Sequence, residues 1–250
     1  MRENLVQYIY GIADNTLILG QRLGELCGHG PSLETDIAIT NTSLDLLGQV
    51  RSYYQYASKL QGDGVTEDTI AFLRKERDYK NVLLVEQPNH DFAYSITRQF
   101  FFDIFHLLLL SELQNSKDET LSAIAKKSIK EVSYHTRFSS DWIKRLGDGS
   151  EESHNRIQTA INDLWEFTDE LFHKTDADNA MISEGIGVDV SLLKESFYKK
   201  VKEILTDATL QTPDVKYFQK GGKQGIHSEH MGYILAEMQF MQRSYPNMNW

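Results

Sequence analysis

The chain has 250 residues, of which 25% are charged and 40% apolar, and carries a formal net charge of −10. That length suits one large domain with a sizeable core. The acidic balance argues against a nucleic-acid partner, which would want a basic stripe, and against an anionic membrane surface. A single cysteine, Cys27, leaves no internal disulfide framework and fits a reducing compartment.

The first residues, MRENLVQYIYGIADN, contain no apolar signal region. The first helix is predicted over about 5–27, stopping at Gly28-His29-Gly30-Pro31. Cys27 at its end reads as a small buried residue. Ser32 is the expected N-cap of a second helix to about Leu60, with Glu34 and Asp36 in its first turn and a stop at Gly62-Asp63-Gly64. Thr66 opens a third helix to about Val85, before Pro88. Asp91 opens a fourth to Asn115. Its apolar run, residues 100–110, is interrupted by Asp103 and His106 and is far shorter than the ~20 residues of a membrane span. The expectation is a cytoplasmic protein with no membrane contact.

Ser116-Lys117-Asp118-Glu119 has the form of a capping box for a fifth helix, 119–146, ending at Gly147-Asp148-Gly149. Ser150 caps a sixth, reaching about Lys174. Asp189 or Ser191 opens a seventh, to about Thr206. Residues 210–225 read as irregular, and the last helix runs over about 227–245. No period-two alternation and no repeat occurs. The expected fold class is all-α, in one domain over 1–250.

The chemistry lies in polar residues on helix faces that should be buried. On the fifth helix Leu121, Ile124, Ser128, Val132, His135, Ser139, Trp142 and Leu146 alternate steps of three and four, a bundle seam. His135 sits on the seam, with Glu131 one turn before it. The fourth helix has the stripe Phe92, Ile96, Phe100, Asp103, Leu107, Leu110, with His106 beside it. A ferritin-like di-iron centre takes a carboxylate from each of two helices and a Glu-x-x-His from each of two more. Glu131 has Tyr134 three residues on instead of a histidine. The matching place on the second helix is Asp45-Leu46-Leu47-Gly48, where Gly48 cannot ligate. Glu25 is a candidate fourth carboxylate. Glu25, Asp45, Asp103, His106, Glu131 and His135 therefore read either as a degenerate di-iron set or as a core network, such as Asp103 with His106 or Arg98 and Glu131 with His135. Buried polar groups must be paired in either case.

Near the C-terminus His227 and His230 share a helix face, a spacing that suits hydrogen bonding or partner contact better than metal binding. Gly221-Gly222-Lys223-Gln224-Gly225 lacks the full phosphate-loop spacing and reads as a solvated turn. The alternative for this glycine-rich, basic segment is contact with a phosphate or an acidic partner.

Several long segments together resemble one family, the C subunits of the bacterial phenylacetyl-CoA ring epoxidase (phenylacetate-CoA oxygenase). They are DNTLILGQRLGELCGHGP (14–31), DIAITNTSLDLLGQ (36–49), ERDYKNVLLVEQPN (76–89) with Asp91-Phe-Ala, RQFFFD (98–103), RLGDG (145–149) with Glu152-Ser-His154, and HSEHMGYILAEMQ (227–239). They span nearly the whole chain in order. The resemblance implies a ferritin-like four-helix bundle with additional helices, in a multicomponent monooxygenase that epoxidises the ring of phenylacetyl-CoA. It implies that the di-iron centre and the substrate belong to a related catalytic A subunit, fed with NADPH-derived electrons through a reductase. This chain would then hold no cofactor and no catalytic residue, and would pack against the A subunit and other components as a structural partner. A ferritin-like di-iron enzyme in its own right is the alternative. An apolar face shaped for a related bundle also predicts a homodimer when the partner is absent.

Overall fold

The computed structural model describes residues 1–62, 64–246 and 248, so Asp63 of the predicted Gly62–Gly64 stop lies outside the described residues. In chain order the helices are α1 (Arg2–Gly24), α2 (Leu33–Gln61), α3 (Glu67–Phe72), α4 (Leu83–Glu86), α5 (Phe92–Leu113), α6 (Glu119–Gly147), α7 (Glu151–Trp165), α8 (Asp176–Ser183), α9 (Lys194–Asp207), α10 (Glu229–Met238) and α11 (Phe240–Ser244). Four short 3-10 turns join them, and no strand occurs among the described residues. The fold is all-α, and its long helices fit a ferritin-like bundle. No helix is long and apolar enough to cross a membrane among the described residues.

The chain divides into two compact units, residues 1–86 with 221–250 and residues 87–220. In the first, α1 and α2 run antiparallel. The Ser43 hydroxyl donates to the Gly20 carbonyl at 2.7 Å, Tyr54 meets Asp14, and Gln61 meets Tyr10. A Cβ at Gly20 would stand 3.4 Å from Leu47, so the missing side chain is what lets the helices approach. In the second unit α5 is buried from Ala93 through His106 on almost every face, and α6 runs antiparallel to it. A helix apolar all round belongs in the middle of its unit. α6 buries one stripe through Leu121, Ala125, Ser128, Val132, His135, Ser139 and Ile143, while the predicted seam members Ile124, Trp142 and Leu146 are only half-buried.

The predicted N-caps hold at Ser32, Thr66, Asp91 and Ser150, whose side chains accept from the backbone amide three residues on at 2.9–3.3 Å. Several helix ends differ from expectation. The third helix stops at Phe72, where Arg74 Nε donates to the Ile70 carbonyl at 2.7 Å, and further on Lys80 N donates to Asp14 Oδ2 and Val82 N to Asn15 Oδ1, both at 2.8 Å. The fifth is capped by Asp118, not Ser116, whose hydroxyl donates instead to the Ile186 carbonyl at 2.7 Å. The sixth stops at Trp165, where the Thr168 hydroxyl takes the Trp165 carbonyl and Gln219 N takes that of Glu166. The unforeseen α8 opens with a reciprocal box between Thr175 and Asp178. The last breaks at Gln239, whose side-chain amide donates to Arg74 O and to the Tyr79 hydroxyl. Cys27, expected inside, is exposed, since α1 ends at Gly24 and Cys27 falls in the following turn.

Candidate functional site

In the second unit Asp103 and His106 of α5 and His135 of α6 all face the core, exposed by no more than 1%. Asp103 is paired with neither His106 nor Arg98, contrary to the sequence expectation. Gln99 Nε2 donates to its Oδ1 at 2.6 Å and the Ser139 hydroxyl to its Oδ2 at 2.8 Å. Arg98 turns away to the Gln87 carbonyl and Asn89. With no cation against it among the described residues, burial pushes the Asp103 carboxyl up to about 8, while the Ser139 and Gln99 hydrogen bonds pull the other way. It is thus mostly a neutral acid at pH 7.

His106 is held in the opposite sense. Burial, helped by neighbouring His135, pushes it down to about 3, so its ring is neutral. Neither of its ring nitrogens has a hydrogen-bond partner among the described residues, and its ring packs against Phe102 at a tilt of 45°, 5.1 Å between centroids. Glu131, one turn before His135, is half-buried at the edge of the seam, and Tyr134 is exposed.

In the first unit Glu25 is exposed just past α1 and forms an ion pair with Arg22 at 2.9 Å. Asp45 is half-buried on α2 and Gly48 is exposed, with open space where a Cβ would stand. The donor sets do not fit a di-iron centre. Both oxygens of the neutral Asp103 are hydrogen-bonded within the core, and Glu25 is turned to an arginine. No three His, Cys, Asp or Glu side chains stand together to hold a metal among the described residues.

Two networks that the sequence did not announce carry the charge of the first unit. Glu86 and His227 are both fully buried as side chains. His227 Nδ1 meets Glu86 Oε1 at 2.5 Å and Nε2 faces the Tyr79 carbonyl at 3.1 Å, an arrangement that needs a proton on each nitrogen. Burial would lower the His227 imidazole, but the Glu86 carboxylate and the Tyr79 carbonyl outweigh it and the pKa is raised. The other Glu86 oxygen accepts from Ser228 N and Oγ at 2.9 and 2.6 Å, and Asn81 donates to Oε1. Arg22 grips the Glu86 carbonyl with two nitrogens. His227 thus makes the hydrogen bonds its position suggested.

In the second network Asp14, wholly buried, accepts from Arg74 twice at 2.6 and 3.0 Å, from Tyr54 at 2.5 Å and from Lys80 N at 2.8 Å. The Arg74 guanidinium lies over Tyr10, Tyr54 and Tyr79, 4.1–5.5 Å from the ring centroids; burial would lower its pKa, but the charge and hydrogen bond of Asp14 together with Tyr54 and Tyr79 raise it. The glycine-rich segment is no solvated turn. A Cβ on Gly222 would lie 2.2 Å from Asn81 O and one on Gly225 2.2 Å from Arg77 O, so both are glycine to let the backbones meet. Lys216 and Lys220 are exposed in the second unit, whereas Lys223 belongs to the first.

A family model described as "Phenylacetic acid catabolic protein" matches residues 1–250. The chain belongs to that family. The C subunit of 1,2-phenylacetyl-CoA epoxidase from Escherichia coli (strain K12) is 48% identical to it over 246 residues, covering 98% of this chain and 99% of that protein. Several of the buried polar groups lie in the segments that carried the resemblance, whereas Tyr54, Arg74, His106 and His135 lie outside them. Asp14 and Asn15 lie in the first, Glu86 in the third, Asp103 in the fourth, and His227 and Ser228 in the last. A pattern search for metal or nucleophile spacings misses them because their partners stand far off in the sequence: 60 positions separate Arg74 from Asp14 and 141 separate His227 from Glu86.

Proposed function

We propose that the chain is a non-catalytic, structural subunit of a multicomponent phenylacetyl-CoA epoxidase, pairing with the di-iron A subunit in the cytoplasm. The near full-length likeness to a protein named as the C subunit of that enzyme supports the assembly. The observation that carries the non-catalytic role is Asp103, a neutral acid whose two oxygens are both engaged by Gln99 and Ser139. A carboxyl so held is no ligand to a dication, because ligation needs the carboxylate and its lone pairs. In this reading the di-iron centre, and the electrons drawn from NADPH through a reductase, belong to partner chains, and this chain supplies no catalytic residue.

The test is iron per chain after anaerobic ferrous reconstitution of the purified chain, beside co-purification with the A subunit. The expected result is iron near zero together with a stable complex that epoxidises phenylacetyl-CoA only when the A subunit is present. Two irons per chain with the spectrum of a coupled pair would overturn the proposal in favour of a di-iron enzyme. Asp103, His106, Glu131 and His135 would then be the first residues to replace.

A further inference from the structure

α6 departs in charge from the chain that carries it. The chain has 36 acids against 26 lysines and arginines, whereas α6 has Glu119, Glu131 and Asp141 against Lys126, Lys127, Lys130, Arg137, Lys144 and Arg145. Lys144 is taken by Asp207 at 2.8 Å. The other five cations are exposed, and none has an ion pair among the described residues. Lys127, Lys130, Tyr134, Arg137, Phe138 and Arg145 form a band that spans about 100° around the helix and about 27 Å along it, opposite the buried Val132 and Ile143. Between these ends Asp141 is the one acid inside the band, and Glu131 lies at its edge.

Aromatic rings are interleaved with these cations. Tyr134 is 44% exposed and stacks on the half-buried Phe138, 6.2 Å between centroids at 25°. Arg137 lies 5.8 Å over the Tyr134 ring and Arg145 5.5 Å over that of Trp142. A guanidinium resting on a ring is already held in place and keeps its N–H fork, so little side-chain freedom is lost when a carboxylate arrives. Tyr, Trp and Arg are also the residues in which binding energy concentrates at protein interfaces. Charge selects the occupant. A long polyanion would run past this face onto a chain of net charge −10 and be repelled. A single acidic helix of about 20 residues matches the band in length and meets only its cations.

We propose that the outer face of α6 is a docking surface for an acidic helix of another protein chain, whose carboxylates meet Lys127, Lys130, Arg137 and Arg145 while its apolar side covers Tyr134. This goes beyond the subunit role above and stands without it.

The probe is a fluorescent, glutamate-rich helical peptide of about 20 residues, titrated with the full chain and read by anisotropy. Saturable binding is expected, weakening steeply as salt is raised to about 0.3 M. K127E/K130E/R137E should weaken it about tenfold or more, with an unchanged helical circular dichroism spectrum. Y134A should weaken it at low and high salt alike, since a lost ring contact is not screened. K199E/K200E/K202E makes the same change in net charge on exposed positions of α9 and should leave the affinity within about twofold. An absence of saturable binding, or equal losses from the two triple variants, overturns the proposal. So does a single-stranded RNA or a phosphatidylserine vesicle that binds this face, loses its affinity in K127E/K130E/R137E and is not displaced by the peptide, since the face would then serve a polyanion.

Discussion

The two units bury acids of equal depth and treat them differently. Glu86 and Asp103 are both 0% exposed. Glu86 is paired with His227, as Asp14 is with Arg74, and the remaining lone pairs are filled by Asn81, Ser228, Tyr54 and Lys80 N. Asp103 meets no cation among the described residues and keeps its proton, while His106 close by stays uncharged. Burying an unpaired ion costs several kcal/mol, so a core either supplies the opposite charge or lets the group go neutral. The first solution ties distant chain segments together. The second tolerates polar side chains within one helix pair and fixes little.

The largest expected effect comes from breaking a pair. Asp14→Ala leaves the Arg74 guanidinium buried among three tyrosines with no counter-charge, and should lower stability by about 4–5 kcal/mol in urea unfolding. A loss below about 1 kcal/mol would mean that the aromatic cage alone holds the cation. His227→Gln should cost about 3 kcal/mol, since Glu86 keeps Ser228 and Asn81 but loses its charged partner. It should also loosen the segment after Gly225, detectable as faster amide exchange in residues 226–235.

Asp103→Asn should change stability by less than about 1 kcal/mol near pH 4, where the carboxyl is neutral both folded and unfolded and the amide keeps one acceptor, and should stabilise the fold progressively toward pH 7, because only the acid must take up a proton on folding. A loss comparable to that of Asp14→Ala would place an unrecognised cation beside Asp103 and erase the contrast between the units.

The pH dependence sharpens the same comparison. A carboxyl raised from near 3.9 to about 8 stabilises the fold most below pH 4, and its contribution falls as pH rises to 8, by up to about 1.4 kcal/mol per unit. His106, lowered to about 3, acts oppositely, losing stability as pH falls from 6.5 toward 3. The two slopes offset between about 4 and 6.5. Above 6.5 the decline comes from Asp103 together with His227, whose raised pKa makes its ion pair fade as pH rises through the folded value. Asp103→Asn should remove one share of that decline and His227→Gln the other, as read from denaturant midpoints at pH 6.5, 7.5 and 8.5.

The smallest effect is expected at His106. Its nitrogens gain no hydrogen bond from the described residues and its ring already packs on Phe102. His106→Phe should therefore be neutral or stabilising by about 1 kcal/mol in thermal unfolding. Destabilisation beyond about 2 kcal/mol would show that this imidazole does polar work in the core.

Much of the site could be seen in the chain, but not its wiring. Asp103 and His135 were placed inside by spacing alone, because a polar residue on a three-four seam has nowhere else to go. That Asp103 would choose Gln99 and Ser139 was not legible, since Arg98 and His106 sit at equally reachable positions on the same helix. Glu25 looked inward on a continued α1, but the helix ends at Gly24 and turns the residue toward Arg22. The residues of the third and last predicted helices suit an unbroken helix. Asp14 and Asn15 instead take the amides of Lys80 and Val82 beyond the third helix, and at the break in the last helix the Gln239 side chain reaches Arg74 O and the Tyr79 hydroxyl.

By itself the sequence determined what depends on neighbours a few positions apart. These are the helical character, most N-caps and the apolar stripes, all set by local propensity and by the 3.6-residue period. The match along residues 1–250 likewise determined the family. Only the tertiary structure decided which buried acids are charged and which are neutral. Ionisation in a core is set by whether a cation or merely a hydroxyl and an amide end up within about 3 Å. Gln99 stands four positions from Asp103, but Ser139 comes from 36 residues away and His227 reaches Glu86 from 141.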